Sequence, residues 1–241
     1  MLKKRLAHYL PFYYYEAMTR QKFSFKQFIV PNFWKKLAFM LPAVLMMGVT
    51  LSVLILVGWG TDPASFMNLN VSAATGLSLG NTQVVVYSIM LIFTIIFGVH
   101  MIGFGTLANM ILIGYVADFC RWIWNNIGFT DFVQNVQFSG RLVIFVITLI
   151  VFVIVASIYM NAQMGTAPYD ALPVVISDAI PKVPFFIIRI LFDFSAIGIG
   201  LLVAKIGGQG VQGSVIGSVC MSIMLGPVIS LVSKPLAKIL E

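Results

Sequence analysis

Gly60-Thr61-Asp62-Pro63 returns as Gly165-Thr166-Ala167-Pro168, 105 residues further along the chain. The same shift lays Phe33 on Phe138, Lys36 on Arg141, Leu37 on Leu142 and Ser52 on Ser157. Further on it lays Gly103 on Gly208 and Gly105 on Gly210, with no gap over the whole length. Register kept at several separate places points to an internal duplication. One copy covers about residues 33–124 and the other about 138–232, each built around a Gly-Thr-x-Pro turn.

Each copy carries three long apolar runs. They are Leu37–Trp59, Gln83–Met101 and Leu107–Trp124, then Leu142–Asn161, Pro184–Ala204 and Val211–Val232. A helical span takes about 20 apolar residues. Composition agrees, since 60% of the residues are hydrophobic and 10% charged, where a soluble domain carries about a quarter charged residues. Mean hydropathy is +0.99. A β-barrel would instead show alternating segments of about ten residues. The expected fold class is therefore an all-α membrane protein with six transmembrane helices. Three spans per copy is an odd number, so the second copy must enter the membrane upside down relative to the first. That gives two inverted-topology three-helix repeats, an arrangement that recurs in secondary transporters. The expected organisation is a basic aromatic arm over 1–36, a first repeat over 37–124 and a linker over 125–141. A second repeat over 142–232 and a cytoplasmic tail over 233–241 complete it.

After each Gly-Thr-x-Pro turn comes a segment too short and too polar to span. Proline suits the first position of a helix, and Asp or Thr before it suits an N-cap. A short helix is predicted over Ala64–Thr75, with Gly76 ending it. Its counterpart is Tyr169–Ile180, which Pro173 should kink or delay. Such segments are interfacial or re-entrant. Non-helical backbone at membrane depth is tolerated only against protein or water.

Eight of the fifteen Lys and Arg residues precede the first apolar run. With Lys234 and Lys238 at the other end, they argue for both termini in the cytoplasm. The aromatics beside them (Tyr9, Phe12, Tyr13, Tyr14, Tyr15) suit an interface with the lipid bilayer rather than a nucleic acid. No signal peptide is expected at the start of this sequence, since no apolar stretch with a small-residue cleavage site follows the first basic residues. Cys120 and Cys220 both sit inside apolar runs, so no disulfide framework or CxxC site forms. With histidine only at positions 8 and 100, no metal centre is expected. No catalytic signature or nucleotide fingerprint is present, so neither an enzyme nor a cofactor is expected.

Charged residues inside spans are expensive and tend to pair or face a cavity. Arg189 and Asp193 are four apart in the fifth span, on one helical face. They read as a substrate or proton-coupling site, or as a self-neutralised pair that fixes packing. The other candidates for substrate binding are Gly60, Thr61, Asp62, Pro63, Gly165, Thr166, Pro168, Tyr169 and Asp170. They form the two helix starts, whose free N–H groups and partial positive charge favour an anion. Asp62 and Asp170 are also explained by helix capping alone. Asp118, Asn109 and His100 are secondary candidates. Gly213 and Gly217 form GxxxG beside Ser214 and Ser218. That stripe suits close helix packing within the bundle, with homodimerisation the other reading.

Gly-Thr-Asp-Pro, Gly103-Phe-Gly-Thr-Leu-Ala-Asn-Met and Gly114-Tyr-Val-Ala-Asp-Phe resemble the first half of the YczE/YyaS/YitT-type bacterial membrane proteins. Gly165-Thr-Ala-Pro-Tyr-Asp-Ala-Leu resembles that group's second-half Gly-x-x-Pro-Trp-Asp motif, with Tyr169 in place of Trp. Leu225-Gly226-Pro227 also fits, while Val211 stands where the first copy has Thr106. The resemblance covers about residues 35–232. It implies a multi-pass protein of the bacterial cytoplasmic membrane and supplies no substrate. The expected function is binding and translocation of a small metabolite, an anion where the helix starts bind it, alone, as a homodimer or within a larger permease. The rival is a non-transporting scaffold or regulatory partner that docks through its N-terminal arm.

Overall fold

The computed structural model describes residues 25–240. Most of the expected arm over 1–36 lies outside them; its described end is a short 3-10 turn, Phe25–Phe28. Nine α-helices follow: α1 Phe33–Val57, α2 Pro63–Thr75, α3 Leu79–Phe97, α4 Phe104–Asn126, α5 Phe129–Asn135, α6 Phe138–Asn161, α7 Pro168–Ala179, α8 Phe185–Ile206 and α9 Val215–Leu240. No strand occurs among the described residues.

Among the described residues, five helices are long and apolar enough to cross a membrane: α1, α3, α6, α8 and the Val215–Ser233 part of α9. The expected third span, α4, is not among them. Its 23 residues include Asn109, Asp118 and Arg121, and Asn125 and Asn126 close it.

The short helices follow local rules. The Asp62 carboxylate accepts the Ser65 N–H at 3.0 Å and so caps α2, with Pro63 at the first helical position. Gly76, at φ 72, ends α2 in the left-handed conformation. In α7 Pro173 does not delay the helix, which runs from Pro168 with Pro173 inside it. Its sixth residue lacks one donor, and a single missing bond near a helix start is tolerated more readily than one at mid-helix.

Helix directions follow from which ends meet. Phe33 at the start of α1 lies against Phe104 at the start of α4, ring centroids 6.1 Å apart, so these two helices run parallel. Arg141 in the first turn of α6 donates to the Val57 carbonyl at the end of α1, through Nη2 at 2.6 Å and Nε at 3.1 Å. The end of α6 returns to the start of α4, where the Gly105 N–H donates to the Met164 carbonyl at 2.7 Å. Hence α6 is antiparallel to α1. The first turn of α9 meets the turn after α1, so α9 is parallel to α6.

Packing repeats between the halves. α1 packs on α4 as α6 packs on α9, and α1 and α6 pack on each other at the centre. The short helix α2 packs on α8, and its counterpart α7 packs on α3. Each non-spanning helix thus leans on a long helix of the opposite half. The main core joins Met40, Val44, Leu51 and Leu54 of α1 to Ile113 and Ala117 of α4, Phe152 and Ala156 of α6 and Met221 of α9. Ile89, Ile92 and Ile96 of α3, Ile147 and Ile150 of α6, and Leu191 and Leu202 of α8 are exposed. An apolar surface of that extent suits a bilayer.

One expected correspondence is corrected. Gly208 and Gly210 lie in an exposed loop where an added Cβ would meet nothing, whereas Gly103 and Gly105 are buried against Met164. The contact of Gly105 with Met164 recurs instead as Gly217 with Trp59, and that of Thr106 with Gly165 recurs as Ser218 with Gly60. The turn residues differ by 105, but the helix residues differ by 112 (217 − 105, and 218 − 106). Seven extra residues therefore precede α9. They are spread over a longer α8 and longer loops on both sides of it, so the gap-free register breaks before the last helix.

Candidate functional site

The two Gly-Thr-x-Pro turns are pinned at their crossings. The Thr61 N–H donates to Ser218 Oγ at 3.3 Å. The Thr166 N–H donates to the Met101 carbonyl at 2.9 Å. Gly60 (φ 128) and Gly165 (φ 111) have left-handed backbones that suit glycine alone, and each lies against backbone of the helix it crosses. Pro63 and Pro168, both buried, then start α2 and α7.

From these starts the charged residues meet. Asp170, third residue of α7, pairs with Arg189 of α8, Oδ1 to Nη1 at 2.7 Å. Arg189 also donates through Nε to Asp193 Oδ2 at 3.2 Å, across one turn of α8. Tyr169 donates its hydroxyl to the other Asp193 oxygen at 2.8 Å, and the Arg189 guanidinium lies 5.4 Å from the Tyr169 ring centroid. Asp193 is buried, its side chain 3% exposed, so each of its oxygens needs the donor it has. Arg189 and Asp170 are about a third exposed, at 30% and 32%. Asp62, at the start of α2, is within electrostatic range of both Asp170 and Arg189. Ala64 and Met67 of α2 share one buried cluster with Tyr169 of α7, so the first turns of the two short helices lie near each other.

Two residues that sequence reasoning missed complete it. Tyr87, midway along α3, stacks on Tyr169 with centroids 6.5 Å apart. Its hydroxyl lies within electrostatic range of Asp62, Asp170, Tyr159 and Arg189. Tyr159, near the end of α6, donates towards the Gly165 carbonyl at 3.3 Å. Both tyrosines sit inside long apolar runs, where a buried hydroxyl must find a partner. No local feature of the sequence marks either of them.

The remaining candidates lie elsewhere. Asp118 accepts the N–H groups of Gly80 at 2.8 Å and Leu79 at 3.3 Å, so it serves the start of α3, with Arg121 3.8 Å away. We expect Asp118→Ala to lower stability by about 1–2 kcal/mol, the usual loss of a cap, in a detergent melt. His100 is exposed in a 3-10 turn, Val99–Met101, in electrostatic range of Asp178. The Asn109 carbonyl accepts from Gln83 Nε2 at 2.9 Å. Ser214 Oγ accepts the Gly217 N–H at 3.2 Å, and Gly217 lies against Trp59 and Gly60 of the same chain. Gly213 (φ 81) belongs to the loop before α9. With Gly58, Gly60, Thr61 and Arg121 it lines a cavity of about 80 Å³ beside the first turn. No group of three or more metal-ligating side chains occurs among the described residues.

No curated protein and no solved structure matches the chain significantly. A family model does match, over residues 34–234, and its description is a family of unknown function. The resemblance to the YczE/YyaS/YitT type implied an uncharacterised family, and that coarser expectation holds; the finer kinship does not follow from the match. With a match covering most of its length, the chain belongs to this family of unknown function, DUF6198.

Proposed function

We propose that this multispanning membrane protein binds a small molecule between its two halves and carries it across the membrane. The observation that carries the reading is the cluster itself. Two short helices start near each other around one buried cluster, one capped by Asp62 and the other beside the ion pairs of Asp170, Arg189 and Asp193. Charges at that depth are expensive unless they serve a function or a pairing. Interrupted helices meeting between repeats are the usual binding device of secondary transporters.

Six spans in two inverted repeats fit this reading. α4, though more polar than the other five, measures about 34 Å at 1.5 Å per residue and is long enough to cross. Its Asp118 is neutralised by the start of α3 and by Arg121. Parallel α1 and α4, antiparallel to α6 and α9, support an inverted relation between the halves. The charge distribution supports cytoplasmic termini in a bacterial plasma membrane.

The test is ligand-dependent thermal stability of the purified protein against amino acids, vitamins, nucleosides, amines and organic acids. A ligand at a hundredfold excess over its Kd adds about 2.7 kcal/mol. Asp193→Asn should abolish that response while the protein still inserts and stays monodisperse, since Arg189 keeps Asp170 as partner. A response that survives both Asp193→Asn and Arg189→Gln would make the pair structural and the site reading wrong.

A further inference from the structure

We infer that the cavity beside the first Gly-Thr-x-Pro turn binds a phosphate group. It is a second site, separate from the ion pairs of Asp170, Arg189 and Asp193, and it goes beyond the transport reading. The cavity holds about 80 Å³. Its polar lining is Arg121 of α4, Gly58, Gly60 and Thr61 of the turn, and Gln212 and Gly213 of the loop before α9. The rest of the wall is apolar, from α1 and α2, and no acidic residue lines it. The Asn70 side chain on α2 clamps the loop in place. Its Oδ1 accepts the Gln212 N–H at 2.9 Å, and its Nδ2 donates to the Gln212 carbonyl at 3.2 Å.

Arg121 points to an anion. Its guanidinium makes no hydrogen bond among the described residues, and it is 40% exposed. Asp118 stands 3.8 Å away, too far for a hydrogen bond, and its oxygens already accept the Leu79 and Gly80 N–H groups. Arg121 therefore keeps its donors free on the cavity wall. Arg141 adds a second positive charge at the rim, its Nη2 3.8 Å from where a Cβ on Gly58 would lie. It donates to the Val57 carbonyl and has no acidic partner among the described residues. Asp62 follows Thr61 in the chain, but its carboxylate turns to the Ser65 N–H.

The donors suit a phosphate better than a carboxylate. The N–H groups of Gly60 and Gly213 make no hydrogen bond among the described residues. The Thr61 hydroxyl, on a residue only 2% exposed, has one long contact, 3.4 Å to the Asp62 carbonyl. With Arg121 these donors come from α4, from the turn and from the loop before α9. A tetrahedral oxyanion can answer donors from several directions, and a planar carboxylate offers two oxygens. Arginine forks onto phosphate with paired hydrogen bonds, and turns of this kind bring backbone N–H groups up to an anion. The cavity lies at the ends of α1 and α4, where Phe119 and Trp122 are exposed. Exposed aromatics there mark the bilayer interface, the depth of lipid headgroups. Free phosphate and the headgroup of an anionic lipid share the chemistry that this pocket recognises.

The experiment uses the full-length protein in a neutral detergent. Melting is followed with millimolar inorganic phosphate or glycerol 3-phosphate in one arm. A second arm uses short-chain phosphatidylglycerol, and a third acetate and succinate, all at matched ionic strength. We expect a rise of a few degrees in one of the phosphate arms and none with the carboxylates. A rise in the first arm names a free phosphate compound, and a rise in the second alone names a lipid. Arg121→Gln should weaken the apparent affinity by about tenfold or more, the loss of a charge-assisted hydrogen bond. Its unliganded melting should change little, because Asp118 keeps its two N–H donors. Gln212→Glu guards against an Arg121 variant that misfolds. It puts a negative charge on the lining and leaves the main-chain clamp to Asn70 intact, so it should weaken the response as much. Asp193→Asn should leave the phosphate response unchanged. A response that survives both Arg121→Gln and Gln212→Glu overturns the inference, as does one that Asp193→Asn removes. Silence in both phosphate arms, or an equal rise with carboxylates, overturns it too and leaves the transport reading untouched.

Discussion

Gly217→Ala should destabilise the protein by about 3 kcal/mol or more, the upper range for forcing an extra carbon into a packed site. A Cβ at this position would overlap the Trp59 carbonyl and come within 3.0 Å of Gly60 Cα. Both obstacles are backbone, so no rotamer change relieves them. Either α9 backs away or the Gly-Thr-Asp-Pro turn moves. Moving the turn would stretch the Thr61–Ser218 hydrogen bond and shift the Asp62 cap with it. In lipid the apolar surfaces of helices gain little by meeting, so association depends on close packing between small residues. Losing a backbone crossing is therefore serious. Gly226→Ala is the control on the same helix, because a Cβ there meets nothing; it should be neutral or gain about 0.5–1 kcal/mol from a stiffer helix. The matching site in the other half, Gly105, leaves more room, with its Cβ 3.1 Å from the Met164 carbonyl, so Gly105→Ala should be milder. Melting temperatures of the three variants in one detergent give the order. Equal melting of Gly217→Ala and wild type would refute the crossing.

The crossing also shows where sequence reading reached and where it stopped. The caps of α2 were legible, because Asp62, Pro63 and Gly76 act through their own backbone neighbourhood. The Arg189–Asp193 contact was legible for the same reason, being four residues apart on one helix. The match of Gly105 with Gly217 was not. The +105 register pointed to Gly210, and only contacts across the bundle reveal the seven added residues. Asp118 read as an acid in need of a partner, and its partners proved to be N–H groups of α3, 38 and 39 residues away in sequence. Tyr87 gave no local sign either. Its significance comes from Tyr169 and Asp62, which belong to different helices, and nothing in an apolar run says which tyrosine will face a charge.

Arg189→Gln should lower stability by about 2–3 kcal/mol. Removing one partner of a fully buried ion pair costs about 3–5 kcal/mol, because the abandoned charge stays behind. The figure is reduced here because Arg189 and Asp170 are about a third exposed and solvent weakens their attraction. Asp193 has no such relief: its side chain is 3% exposed, and Tyr169 would be its remaining donor. Adding Asp193→Asn to Arg189→Gln should therefore recover more than half of the loss. Adding Asp118→Asn, which sits on another cap, should recover nothing. Arg189→Lys should fall between wild type and Gln. One ammonium does not reproduce the fork that sends Nη1 to Asp170 and Nε to Asp193. A double-mutant cycle on melting free energies reads the coupling directly; additive losses for Arg189→Gln and Asp193→Asn would mean that the two do not interact in the folded protein. The network also constrains any transport cycle. Asp170, Arg189 and Asp193 all belong to α7 and α8, so these ion pairs can persist while the halves move apart. The contacts that must change lie between halves: the Tyr87–Tyr169 stack and the approach of Asp62. Arg189 substitutions should thus cost stability as well as ligand response, two effects that the same melts, run with and without ligand, can separate.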